Sequence, residues 1–231
     1  PPTVPLNLVG DYAGGSLYLA IGLLSGIIEA RVSGQGQVVD AAIVDGVSSL
    51  MTVLTGLWHA RMMEGGRGNN LLDSGSPFYD VYPCADGQYV SVGPIEPRFY
   101  RQLLERLDLR SPLLDTPHDA VTWPAIRQAL ASTFARHPRQ HWIDLLQGTD
   151  CCFAPVLDLQ DAMTHPHLVA RGTFIEVAGV MQPAPAPRFS RTPNAQPQPP
   201  AEASTDNARA ALAQWLTDEA IDRYAATGAF T

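Results

Sequence analysis

From Ala13 to about Val32 the chain carries apolar side chains on nearly every face, and the run ends at Ser33-Gly34-Gln35-Gly36. A helix of this kind has no side to give to water, so it belongs inside a larger structure with neighbours around it. Glycine supplies the stop, and Gly22 and Gly26 permit close packing. Gly22, Ser25, Gly26, Glu29 and Arg31 interrupt the run before it reaches the roughly 20 residues of a membrane span, so no membrane association is expected. Gln37-Val38-Val39-Asp40-Ala41-Ala42 reads as a short strand, and Val44 to about Met63 as a second, mostly apolar helix. The order helix, strand, helix is that of an α/β fold. So short a strand implies a sheet supplied largely by residues before Pro1. The chain opens without an initiator methionine, in an apparent loop around Thr3-Val4-Pro5-Leu6-Asn7, and is read as a fragment or a processed product.

The 231 residues, 45% of them hydrophobic, suffice for one large domain or two smaller ones. Net charge is −8 with no evident basic cluster, which argues against a nucleic-acid partner. All 15 basic residues are arginine. Without lysine no Schiff base and no P-loop GK[ST] motif is possible, which excludes pyridoxal-phosphate and P-loop chemistry. Cys84, Cys151 and Cys152 offer neither a metal-binding spacing nor a disulfide framework. With no signal peptide visible, a reducing, cytoplasmic location is expected.

Texture divides the chain further. Glu64-Gly65-Gly66-Arg67-Gly68-Asn69-Asn70 reads as an exposed linker, placed at residues 64–77. Phe78 to Tyr82 and Gln88 to Val92 alternate in strand fashion around Ala85-Asp86-Gly87, a hairpin signal. Pro97 fits a first helical turn, followed by an amphipathic helix over Phe99 to Leu107. Trp123 to Ala135 and Arg139 to Leu146 read as helices, and Phe153-Ala154-Pro155-Val156-Leu157 as an edge strand. A small α+β domain is thus expected over residues 78–180. A proline-rich return linker follows over 181–205, and helices over 206–231, with Thr217 as a cap and Gly228 as a stop.

Two acidic motifs stand out as site candidates: Gly10-Asp11-Tyr12-Ala13-Gly14-Gly15 and Gly93-Pro94-Ile95-Glu96-Pro97. Each places a carboxylate at an expected helix start. There it can act as a general base while nearby amides stabilise an oxyanion. An acidic residue at such a position is also a common N-cap, and sequence leaves both readings open. None of the six histidines carries a base motif. The i,i+4 pair His137 and His141 lacks the third ligand and the glutamate of HExxH, and no metal is expected.

These motifs, with Gly36 to Ala42, Arg67-Gly68-Asn69-Asn70-Leu71-Leu72-Asp73, Phe78 to Tyr82, Ala154 to Leu157, His165 to Phe174 and Pro185 to Ser190, together resemble the alpha-methylacyl-CoA racemases of the family III CoA-transferase superfamily. The resemblance covers essentially the whole chain. It implies that residues 1–63 are the remnant of a Rossmann-like large domain, that the last helices pack on it, and that the protein is an interlocked homodimer.

The resemblance also carries residue roles. Asp11 matches the family's catalytic aspartate, Glu96 the glutamate that orients a catalytic histidine, and Asn7 a polar residue of the same pocket. That histidine would precede Pro1, as would most of the CoA-binding half. The implied substrate is an acyl-CoA thioester whose C2 proton is removed and returned on the opposite face through an enolate. Amides near Tyr12, Gly14 and Gly15 would share the enolate charge. CoA belongs to the substrate, and no further cofactor is implied. Transferases of the superfamily use the aspartate matching Asp11 as a nucleophile, so CoA transfer is an alternative activity. An inactive, dimerising fragment is the non-enzymatic one.

Overall fold

The computed structural model describes residues 4–63 and 65–229, so the loop reading at Pro1 to Thr3 and the linker's first residue, Glu64, lie outside the described residues. The chain divides into two compact units, Pro1–Val156 and Leu157–Thr231.

The first unit begins with a helical segment whose hydrogen bonds close in the wider i→i−5 pattern, Leu8–Leu17. It runs directly into α1 (Tyr18–Ser33), which Gly34 closes in a left-handed conformation with φ 75°. The expected apolar helix is therefore present, but it starts about a turn earlier than Ala13. The whole helix, Leu8–Ser33, has 26 residues and contains an 18-residue window of mean hydropathy 1.4, long and apolar enough to cross a membrane by length and composition alone. This corrects the expectation that Gly22, Ser25 and Gly26 keep the run too short. Small residues inside a helix do not end it, because their backbone bonds are kept.

Residues 37–42 pair with no strand among the described residues, and the sheet expected for them is one supplied by residues before Pro1. Val38 is 95% exposed. The single helix expected over Val44 to Met63 is two, α2 (Ile43–Leu50) and α3 (Thr52–His59), with Met51 between them at ψ 0°. The hydroxyls of Ser48 and Thr52 donate to the carbonyls of Val44 and Ser49, at 2.7 and 2.6 Å, and such local bonds compete with a continuous ladder.

Gly65 to Asn69 are exposed, as the linker reading expects, but the stretch is folded on itself around Asn70. Asn70 is buried, its side-chain amide donating to the Gly66 carbonyl at 2.6 Å and to the Asp73 carboxylate at 2.7 Å. Asp73 also accepts from the amides of Asn70 and Gly68. Burial raises the Asp73 carboxyl, but these donors outweigh it and hold the group below the usual carboxylate value.

The hairpin forms as expected: β1 (Asp80–Pro83) pairs antiparallel with β2 (Tyr89–Val92), and β2 with β3 (Phe153–Pro155), the edge strand. Over the sheet lie α4 (Pro97–Arg106), α5 (Trp123–Phe134) and α6 (Arg139–Leu146). The i, i+3, i+4, i+7 face of α4, Tyr100, Leu103, Leu104 and Leu107, meets Ile126, Leu130 and Phe134 of α5 in one core with Val90 and Val92. Phe134 stacks on Tyr82 at 5.5 Å and takes the edge of Trp142 at 5.2 Å. Arg127 clamps the sheet to the preceding loop through Asp80 and the carbonyls of Ser74 and Gly75.

The second unit holds α7 (Leu159–Thr164), α8 (Pro166–Arg171), the hairpin β4 (Phe174–Val177) and β5 (Val180–Pro183), and then α9 (Thr205–Leu212) and α10 (Asp218–Ala226). The hairpin went unread in the sequence. Its turn, Ala178-Gly179 with φ 51° and 82°, is a two-residue connection of the kind that joins tightly twisted strands. Between β5 and α9 the proline-rich stretch stays irregular. Thr217 caps α10 through the Ala220 amide, and Arg209 of α9 pairs with Asp222 of α10.

Candidate functional site

Five of the candidate residues, Asn7, Asp11, Tyr12, Gly14 and Gly15, come together on the Leu8–Leu17 segment and its cap. What fixes this segment is α2. Gly14 and Gly15 are buried, and a Cβ on Gly14 would meet Val47 Cγ2 at 2.6 Å and the Val47 nitrogen at 2.9 Å. A Cβ on Gly46 would overlap the Gly14 carbonyl oxygen. Glycine on both sides lets the two helices touch backbone to backbone, which pins one side of the segment.

The other side faces outward. Asp11 is exposed, its carboxylate makes no hydrogen bond among the described residues, and only its carbonyl is used, accepting from Ser16 Oγ at 3.0 Å. The helix begins a turn before Asp11, with Asn7 at the capping position, so Asp11 does not cap it. Asn7 is exposed and makes no side-chain cap bond. Tyr12 is 53% exposed.

The early start of the helix corrects one detail of the expected chemistry. The Tyr12 amide donates to the Asn7 carbonyl at 3.2 Å, and Tyr12 to Gly15 lie inside the helix, so these amides are not the open donors of a helix N-terminus. The open donors of such a segment belong to the turn before Tyr12.

Glu96 stands elsewhere, between β2 and α4. Its backbone is extended at φ −74° and ψ 137°, in the capping position of α4, and Pro97 opens the first turn. Its carbonyl accepts from the amides of Phe99 and Tyr100 at 3.1 and 3.0 Å, yet its side chain caps nothing and is exposed. No hydrogen bond or ion pair joins Glu96 to Asp11 among the described residues. For both carboxylates the capping alternative is therefore removed: each is held by its backbone and left free at its oxygens.

Two of the hollows in this unit bear on the candidate residues and on substrate space. A cavity of about 380 Å³ is lined by Tyr79, Asp80, Ser91, Gly93 and Cys152, beside the loop that carries Glu96. The Cys152 thiol is pushed up by partial burial and by the neighbouring Glu96 carboxylate. Sequence reasoning missed Cys152 as a neighbour of Glu96, and only the antiparallel pairing of β2 with β3 could reveal it. A larger cavity of about 420 Å³ is walled by Leu54, Leu57, Met62, Met63, Leu71 and Trp123, with Arg61 and His118 at its polar points. Among the described residues no group of three or more His, Cys, Asp or Glu side chains is placed to hold a metal ion.

The architecture is mixed α/β. The chain matches CoA-transferase family III over residues 1–206, and it belongs to that family. It is 38% identical over 193 residues to the alpha-methylacyl-CoA racemases of Mus musculus and Homo sapiens, an alignment covering 83% of the chain and 51% and 50% of those proteins. More distantly, it is 25% identical over 189 residues to the acetyl-CoA:oxalate CoA-transferase of Acetobacter aceti, covering 79% of the chain and 48% of that protein. The structure of a CaiB/BaiF family protein from Brucella suis superposes with a TM-score of 0.64 at 20% identity, over 84% of the chain and 51% of the other. The chain thus spans about half the length of the relatives it matches.

Proposed function

We propose that this chain supplies part of the active site of a racemase that inverts C2 of 2-methylacyl-CoA thioesters, with Asp11 as the acid/base on one face of that carbon. The supporting observation is the state of Asp11: a carboxylate without a partner, on a segment whose opposite side is locked by the glycine contacts with α2. A base must be free at its oxygens and fixed at its backbone, and Asp11 is both. The thioester carbonyl acidifies the C2 proton, Asp11 or its opposite number takes it, and the enolate collapses when a proton returns to the other face. The second base is the family's histidine, which this chain does not contain, and Glu96 would hold it in one tautomer and favour its charged form.

The amides of Val9, Gly10 and Asp11, in the first turn, are the proposed donors to the enolate oxygen. The cavity walled by Leu54, Met62 and Leu71 is of a size to take an acyl chain. The reaction as proposed calls on no metal or redox group, CoA entering only with the substrate. Asp11 and Glu96 lie in different parts of the chain, which fits an interlocked homodimer with sites built from two copies. The proposed cover of the apolar Leu8–Ser33 helix is protein and not lipid.

The experiment is α-proton exchange of one enantiomer of a 2-methylacyl-CoA in deuterated water, run with this chain joined to the segment that supplies the histidine and followed by NMR and chiral analysis. Exchange with inversion, reduced about 10²- to 10⁴-fold by Asp11→Asn, supports the proposal. CoA transfer to oxalate or another carboxylate, without exchange, would assign Asp11 the nucleophile's part instead, its carboxylate displacing CoA thiolate to give a mixed anhydride. That second reading draws on the more distant transferase relatives. No acyl-CoA binding at all would leave a dimerising fragment.

A further inference from the structure

The loop that carries Glu96 is fixed at both ends. Downstream, the Glu96 carbonyl is tied into the first turn of α4 by Phe99 and Tyr100. Upstream, the Gly93 amide donates to the Cys152 carbonyl at 2.9 Å, one bond beyond the last β2–β3 pair, Val92 with Phe153. The Ile95 amide then folds back onto the Gly93 carbonyl at 2.9 Å, and Pro94 is fully buried between them. The bond from Gly93 depends on an unusual backbone. Cys152 sits at φ 49°, a left-handed conformation that side-chain-bearing residues other than Asn and Asp seldom adopt. Its thiol lines the same 380 Å³ cavity as Gly93 and Tyr79, and the Tyr79 ring lies 3.5 Å from where a Cβ on Gly93 would stand.

We propose that Cys152 is a positioning residue for Glu96: its left-handed backbone turns its carbonyl onto the Gly93 amide and so sets where the Gly93-to-Glu96 loop leaves the sheet. Without that turn the β3 chain would continue straight, and the loop would lose its upstream anchor while keeping the helical one. Glu96 would then swing about Pro97. The catalytic meaning of this brace rests on the racemase reading of Glu96, but the brace itself can be measured with no acyl-CoA present, so the two ideas fail separately.

The test is amide hydrogen exchange by NMR on this chain, with Cys152→Val, Cys152→Ala and Cys152→Asn. A β-branched residue resists positive φ, alanine tolerates it poorly and asparagine accepts it. Cys152→Val is expected to speed exchange at Gly93 and Ile95 by on the order of tenfold while Val90, in the ladder, is unchanged. Cys152→Asn is expected to restore both amides, and the carboxyl carbon resonance of Glu96, assigned with Glu96→Gln, to move with Val and return with Asn. Unchanged Gly93 exchange in Cys152→Val overturns the proposal, as does equal acceleration by Val and Asn, or a Glu96 resonance indifferent to both. If Cys152→Val does not fold, Cys152→Ala against Cys152→Asn makes the same comparison.

Discussion

At the scale of single residues, the informative fact about Asp11 and Glu96 is what their oxygens do not touch. A capping carboxylate is engaged by amides, and neither of these is. Asp73 shows the opposite state, its oxygens taken by Asn70 and by the amides of Asn70 and Gly68. Asn70→Ala should therefore cost about 2 kcal/mol, because it removes the side-chain donors to Gly66 and Asp73 and the acceptor of the Gly65 amide, and a thermal unfolding curve would show it. The pH dependence has a definite sign. A carboxyl held below its unfolded value contributes stability above that value and loses it as pH falls through the folded one. The loop over 65–76 should accordingly loosen below roughly pH 4, read as faster exchange at Asn70 and Gly68, and Asp73→Asn should flatten that dependence. Cys84 is neutral near pH 7, its thiol pushed up to about 11 by burial, so alkylation should single out the exposed Cys152 before Cys84 and the buried Cys151.

At the scale of elements, the crossing of the Leu8–Leu17 segment with α2 decides whether Asp11 has a fixed base. Gly46→Ala places a methyl against the Gly14 carbonyl oxygen, and the helices must part. We expect a loss of about 1–3 kcal/mol by thermal unfolding, with Asp11 displaced and any Asp11-dependent exchange activity lost with it. Gly56→Ala on α3, where an added Cβ meets nothing, is the control and should be neutral or slightly stabilising. The small sheet is more legible. Alternation in Phe78 to Tyr82 and Gln88 to Val92 around Ala85-Asp86-Gly87 foretold the hairpin, and Pro97 foretold the start of α4. The Ala178-Gly179 hairpin was missed because its strands are only partly buried and carry little alternation, while the stretch over 37–42, whose sheet is expected from residues before Pro1, has no partner among the described residues.

At the scale of the whole molecule, the two ends of the first unit differ in kind. The part around Phe78, Leu103 and Phe134 has a closed core. In α1 no residue is buried, and Leu24, Ile28 and Val32 are 62%, 64% and 86% exposed. So large an apolar face calls for a cover. We expect the chain to run in solution at twice its monomer mass with this face covered, and a monomeric mass under native conditions would count against the homodimer. Failure to sediment with phosphatidylcholine vesicles is the outcome expected if the cover is protein, and retention on them would move the Leu8–Ser33 helix into a bilayer.

The sequence by itself determined the local order: which stretches are helices, where glycine and proline stop them, and that its motifs belong to one family. These are matters of neighbours along the chain, set by side-chain period and backbone preference. Tertiary structure decided the rest. Only packing shows that Gly14 faces Gly46, that Asn70 is buried in a loop that reads as a linker, that Cys152 stands beside Glu96, and that Asp11 and Glu96 cap nothing. Each of these depends on groups far apart in sequence meeting at hydrogen-bond or van der Waals distance, and no local pattern encodes that meeting.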